Sequence, residues 1–150
     1  MGKTIGAVIL GYAVIVAVVF VTFGIAYALL GPDRSFQAST YDVSAIWIAL
    51  AIALGLLAAV IGGRVTRAVA GNYRAVKILA VVVLVIGLVL AVAERDRVAA
   101  PAVRPPDAPM MEAMQSARQP AWLLFLNPVI GVVGVLCGGG SLRRRSETPV

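Results

Sequence analysis

Few residues in this chain are of types that do chemistry, and their spacing narrows the options further. There is no His, so the side chain best matched to proton transfer near neutral pH is missing, along with the commonest metal ligand. The single Cys, Cys137, permits no intramolecular disulfide and no Cys-x-x-Cys redox or zinc site. Nothing beside it in sequence would activate a thiolate, so it is expected to be a small buried hydrophobe. The carboxylates Glu94, Asp96, Asp107 and Glu112 share one segment, but no spacing ties them into an acid–base pair, and catalysis is not expected. Met110, Met111 and Met114 offer thioethers that could hold Cu(I). No His or Cys accompanies them, and Met commonly fills apolar helix faces, so neither a metal nor a cofactor is expected.

Two further groups have types suited to a job. Asn127-Pro128 interrupts an otherwise apolar run. Proline removes a helical hydrogen bond and kinks the helix, and the Asn amide can bond across a bundle. An aquaporin carries two such signatures at paired half-helices; a lone pair favours a kink with a polar clasp over a pore. The basic residues Arg64, Arg67, Arg74 and Lys77 bracket a short turn, and Arg143, Arg144 and Arg145 follow the last apolar run. They suit orientation and anchoring first, and binding of anionic lipid headgroups second.

The elements that position these residues are set by composition. Of 150 residues, 61% are hydrophobic and 13% charged, against roughly 25% charged in a soluble domain. That is too little charge to cover a globule in water, and too many aliphatics for a disordered chain. Four runs meet or approach the roughly 20 helical residues that cross a bilayer core. They are residues 5–30, 43–63, 75–93 and 121–139. Such runs are far beyond strand length, so the expected fold is all-α: a polytopic membrane protein whose four transmembrane helices pack as a single bundle over 1–150. Ala26-Tyr27-Ala28 resembles a signal-peptidase site, but the apolar stretch before it is too long for a signal peptide and is expected to stay as a span.

Lys and Arg counts give the orientation. One side carries Lys3, Arg64, Arg67, Arg74, Lys77 and Arg143–Arg145; the other carries Arg34, Arg95, Arg97, Arg104 and Arg118. Eight against five places both termini in the cytoplasm. Tyr27, Tyr41, Trp47 and Trp122 then fall at the outer ends, as interfacial anchors would. Of the loops, 31–42 is short and polar, and 71–72 makes a tight hairpin. Residues 94–119 form a Pro-rich outer loop, whose second half could make a short amphipathic helix with Met110, Met114 and Ala117 on one face. Residues 140–150 form a basic cytoplasmic tail.

Small residues recur at four-residue spacing: Ala51, Gly55, Ala59 and Gly63 in the second span, Gly134 and Gly138 in the fourth, Gly24 and Ala28 in the first. Such faces let helices approach closely. They serve packing inside one bundle or, alternatively, a homo-oligomer or a larger membrane complex. The spans contain no Asp, Glu, His or Arg between their ends, unlike small multidrug exporters, which need an acidic residue in the first span. In layout the chain resembles the small, functionally uncharacterised four-span proteins common in bacterial inner membranes, and an excess of Arg over Lys fits a GC-rich bacterium. The partners expected are the bilayer, including its anionic lipids; the net charge of +6 has no soluble domain to present it to nucleic acid. The expected function is that of a non-enzymatic membrane protein acting through helix packing, as accessory subunit, scaffold or homo-oligomer. The alternative is a small oligomeric transporter or channel.

Overall fold

A computed structural model describes residues 2–98, 103–104, 112 and 116–140, and the side chains of all of these but 96–98. Four long helices pack as a bundle: α1 (Gly2–Leu30), α3 (Ala45–Ala70), α4 (Tyr73–Val98) and α5 (Ala121–Gly138), with the single turn α2 (Pro32–Ser35) after α1. All four long helices are apolar enough to cross a membrane. Between 11% and 28% of the residues in each apolar window are buried within the protein, so most of the helical surface must be solvated by lipid. Around the bundle the order is α1, α3, α5, α4. The α1–α4 seam that closes the ring is much the thinnest of the four.

Helix ends differ from the apolar limits for identifiable reasons. Charge ends a run of hydrophobicity but does not end a helix. So α3 continues beyond Gly63 through Arg64 and Arg67, and α4 continues through Glu94 and Arg95 into what composition assigned to a loop. What stops α3 is Gly71, which takes the left-handed conformation (φ 73°) and donates its N–H to the Arg67 carbonyl. Asn72 then serves both helices: its amide NH2 donates to the Ala70 carbonyl, and its Oδ1 accepts from the Ala75 N–H, each at 3.0 Å. Two residues therefore suffice for the hairpin. At the other end α3 starts at Ala45, not Val43. Ser44 is its N-cap and accepts from the Trp47 N–H at 3.2 Å, while Val43 bridges to Phe36 in the preceding loop.

The two ends of the bundle are held by different chemistry. At the hairpin end, one core draws on all four helices through Ala7, Val8, Ala59, Ala75, Val76, Leu79, Ala80 and Val135. Backbones nearly touch there. A Cβ on Gly63 would collide with the Val135 carbonyl, one on Gly138 with the Val60 carbonyl, and one on Gly11 with the Thr66 hydroxyl. Thr66 is fully buried; its hydroxyl donates to the Gly62 carbonyl at 2.9 Å, with the Ala7 carbonyl of α1 a second acceptor at 3.3 Å.

At the loop end, aromatic rings do the packing. Phe23 and Tyr27 from α1 meet Trp47 from α3 edge to face, with ring centroids 5.7 and 6.2 Å apart, and Phe36 joins Tyr27 to Tyr41. Tyr27, Tyr41 and Trp47 therefore turn inward and are buried, while Trp122 alone of the four expected anchors presents its ring outward. The inward turn follows from loop 31–44, which is not merely polar. It folds over the helix ends with Phe36, Tyr41 and Val43 beneath it. Segments of the following connection pin it down: Arg118 exchanges backbone hydrogen bonds with Tyr41 and Val43, and the Arg104 N–H donates to the Ser39 carbonyl. Ala117 packs on the same cluster. The amphipathic helix expected around Met110 and Met114, and the basic tail with Arg143, Arg144 and Arg145, lie outside the described residues.

Candidate functional site

Between these two packed ends lies a cavity of about 400 Å³. Burial on α4 accounts for it. After Ala75, Val76, Leu79 and Ala80 in the first turns, the next buried residue is Ala91. Along that interval α4 leans on α5 but contributes nothing to the aromatic cluster on α1 and α3. The walls are Ile15, Val19 and Phe23 of α1, Ala51, Gly55 and Ala59 of α3, Val83, Gly87 and Leu90 of α4, and Leu124, Pro128 and Gly131 of α5. Many of these are too small to fill the space they face. A Cβ on Gly55 would meet nothing within 4 Å.

Among the described residues the polar lining consists of Glu94, Gln119 and Asn127, all placed toward the loop end. Asn127 lies six residues into α5, about 9 Å along its axis. Its amide NH2 donates to the Gln119 Oε1 at 3.0 Å. Pro128 beside it is buried inside α5 and removes the helical donor for the Leu124 carbonyl. Its ring is accommodated by Gly87 of α4, where a Cβ would stand 2.7 Å from Pro128 Cγ. The polar clasp thus joins Asn127 to Gln119, two residues ahead of α5, and does not run between two spans.

The other residues singled out by sequence fall into three places. Gly63, Gly134, Gly138 and Ala59 meet at the α3–α5 crossing, where a Cβ on Gly134 would stand 2.6 Å from that of Ala59. Ala51 and Gly55, on the same helix face, line the cavity instead. Gly24 and Ala28 take part in neither: a Cβ on Gly24 meets nothing within 4 Å, and Ala28 is exposed. Arg64, Arg74 and Lys77 are exposed at the hairpin end, and the Arg67 guanidinium lies 3.6 Å above the Tyr73 ring. Cys137 is exposed, not buried, because the inward face of α5 runs through Leu123, Pro128, Gly134 and Val135 and leaves position 137 on the lipid side.

Sequence reasoning missed Gln119, Thr66 and the glycines Gly11, Gly62, Gly87 and Gly131, and it weighed Glu94 only as a catalytic carboxylate. Gln119 had no usable signal, since it stands outside α5 and meets Asn127 only through the path the chain takes before Pro120. The glycines on α4 and α5 had none, because only the partner helix decides which glycines are crossings. In the loop-end cap, Tyr41 donates its phenol to a Glu112 carboxylate oxygen at 2.9 Å. Burial and that carboxylate raise its pKa, while Arg104 pulls it the other way. Arg104 is itself buried, with its guanidinium 5.6 Å from the Phe36 ring and 3.5 Å from the exposed Asp33 carboxylate. No protein-family model matches the chain, and neither curated proteins nor solved structures give a match.

Proposed function

We propose that this is a non-enzymatic, multi-pass protein of a bacterial inner membrane, with both termini cytoplasmic, that holds a membrane-soluble small molecule between its helices. The observation that carries this reading is the cavity. Its size falls in the range of small-molecule sites, its walls are apolar, and its few polar groups converge at one end. The thin α1–α4 seam gives a side route from the bilayer. Among the described residues the lining offers no nucleophile and one ionisable residue, Glu94, which supports binding or carriage over catalysis. Gly55→Phe tests it, because the open space beyond position 55 lets a ring enter the cavity without displacing a helix. Wild-type protein isolated in native-membrane discs should retain an extractable small molecule that the Gly55→Phe variant lacks. Identical extracts from the two would refute the reading.

A second reading, self-association or docking on a larger membrane complex, is favoured by α1. This helix has the smallest buried share of the four; a Cβ on Gly24 would meet nothing within 4 Å, and Ala28 is exposed. Close approach of a second helix would use them. Gly24→Leu should then lower resonance energy transfer between differently labelled copies in liposomes, and unchanged transfer would remove this reading.

A further inference from the structure

We infer that the hairpin end of the bundle seats the phosphate of an anionic phospholipid, held by Arg64 and Arg67 of α3 and Lys77 of α4 around the end of α5. This site is separate from the cavity and does not depend on what the cavity holds. Each cation is placed by a contact of α5. Val60 packs against Gly138 and Gly63 against Val135; one helical turn further along α3 come Arg64 and Arg67. On α4, Val76 packs against Gly139, and the Tyr73 hydroxyl lies 3.8 Å from where a Cβ on Gly140 would stand. Lys77 follows Val76 and is one turn from Tyr73. Gly138, Gly139 and Gly140 bring no side chain between the two basic rows. Arg64 and Lys77 are exposed, and Arg67 is half-buried with its guanidinium fixed 3.6 Å above the Tyr73 ring. Stacking occupies the face of a guanidinium and leaves its N–H edge, which matches phosphate oxygens, for a ligand.

Charge and level select the ligand. Among the described residues the carboxylates Asp33, Asp42, Glu94 and Glu112 all belong to the loop end, and none pairs with these three cations. The sequence that leaves the site beyond Gly140 is itself net basic, with three Arg and one Glu. The 18 residues of α5 cover about 27 Å, close to the thickness of a hydrocarbon core, so the end of α5 stands where that core gives way to headgroups. Lys and Arg at such a level extend their charged ends to the interface, where lipid phosphate is the abundant anion. A zwitterionic head brings its own cation to the same place; an anionic head does not. Cations beside a helix C-terminus also offset its dipole, but that role favours no particular lipid.

Cys137 provides the test. It is the sole cysteine and is exposed on α5 next to Gly138, so a maleimide-linked fluorophore there reports on the site. The labelled protein is reconstituted in phosphatidylcholine vesicles and titrated with chain-brominated phosphatidylglycerol or, for reference, chain-brominated phosphatidylcholine. The anionic lipid should reach half-maximal quenching at a mole fraction about fivefold or more below that of the reference. Arg64→Gln and Lys77→Gln should each raise that mole fraction about fivefold. Quenching by phosphatidylcholine should stay unchanged in both, which shows that the variants keep the fold around the label. Lys3→Gln removes the same charge from the same end of the bundle, but on α1, which α3 and α4 separate from α5; it should leave the mole fraction as it was. An equal shift in Lys3→Gln would reduce the effect to general surface potential and overturn the site. Equal half-maximal values for the two lipids would overturn it as well and leave the cations to the α5 dipole. If inorganic phosphate at constant ionic strength abolishes the advantage of phosphatidylglycerol, the anion is a soluble one and the lipid assignment falls.

Discussion

Two glycines on one helix should respond to the same substitution with opposite signs. Gly55 and Gly63 both lie on α3. A Cβ on Gly55 would meet nothing within 4 Å, whereas one on Gly63 would overlap the Val135 carbonyl oxygen of α5. Alanine in a helix interior is favoured over glycine by about 0.5–1 kcal/mol, so Gly55→Ala should stabilise by about that amount. At Gly63 the same gain is set against overpacking on main chain that cannot rotate away. Cores that must absorb an extra methyl lose about 1–3 kcal/mol. Opening the seam by about 0.5–1 Å forfeits a quarter to a half of each dispersion contact along it, which includes Ala59 on Gly134 and Val60 on Gly138. Gly63→Ala should therefore destabilise by about 1–2 kcal/mol net, a separation of about 1.5–3 kcal/mol between the variants. Unfolding in mixed micelles with increasing sodium dodecyl sulfate, followed by circular dichroism, measures both. Shifts of the same sign and size would refute the assignment of the α3–α5 crossing.

Three further substitutions probe other parts of the frame. Thr66→Val removes the only side-chain hydroxyl bonded between α1 and α3 among the described residues and should cost about 0.6 kcal/mol in the same unfolding assay, while Thr66→Ser keeps the bond. Asn72→Ala strips the hairpin of both cap bonds and should cost about 1 kcal/mol, visible also as faster amide exchange in the adjoining turns. The raised pKa of Tyr41 means that the folded state holds its proton where an unfolded tyrosine, near pH 10, has lost it. Its contribution is complete below that pH and is lost as the pH climbs through the raised value. A spectrophotometric alkaline titration should show a late phenol that is absent in Tyr41→Phe.

The spans were legible because they follow from one quantity, apolar length, which no tertiary contact can reverse. Their ends were less so. Arg64, Arg67, Glu94 and Arg95 end hydrophobicity but are good helix formers, and only cap chemistry at Gly71 and Ser44 shows where α3 stops and starts. The inward turn of Tyr27, Tyr41 and Trp47 was not legible, since they acquire a core only when loop 31–44, with Phe36, folds over the helix ends. The candidate site was half legible. Asn127 and Pro128 stand out in an apolar run, but a cavity is a difference between two packings, and no single segment encodes it.

That difference comes from the sizes of the side chains at each level. Toward the hairpin, a Cβ on Gly11, Gly62, Gly63, Gly138 or Gly139 would collide with a facing helix; toward the loops, the rings of Phe23, Tyr27 and Trp47 fill the space between α1 and α3. Between these levels Ala51, Gly55 and Ala91 line the cavity with side chains too small to fill it. An empty apolar void forfeits the contacts its lining would otherwise make, and water gains little in one so poor in polar groups. A chain or ligand drawn from the bilayer restores those contacts. Gly55→Leu, which fills part of the void from within, should therefore stabilise delipidated protein in short-chain detergent more than protein in lipid discs. There the leucine displaces an occupant instead of filling emptiness. Measured as the shift in thermal midpoint, the gain should shrink on returning the protein to lipid. An equal gain in both would mean that nothing occupies the space.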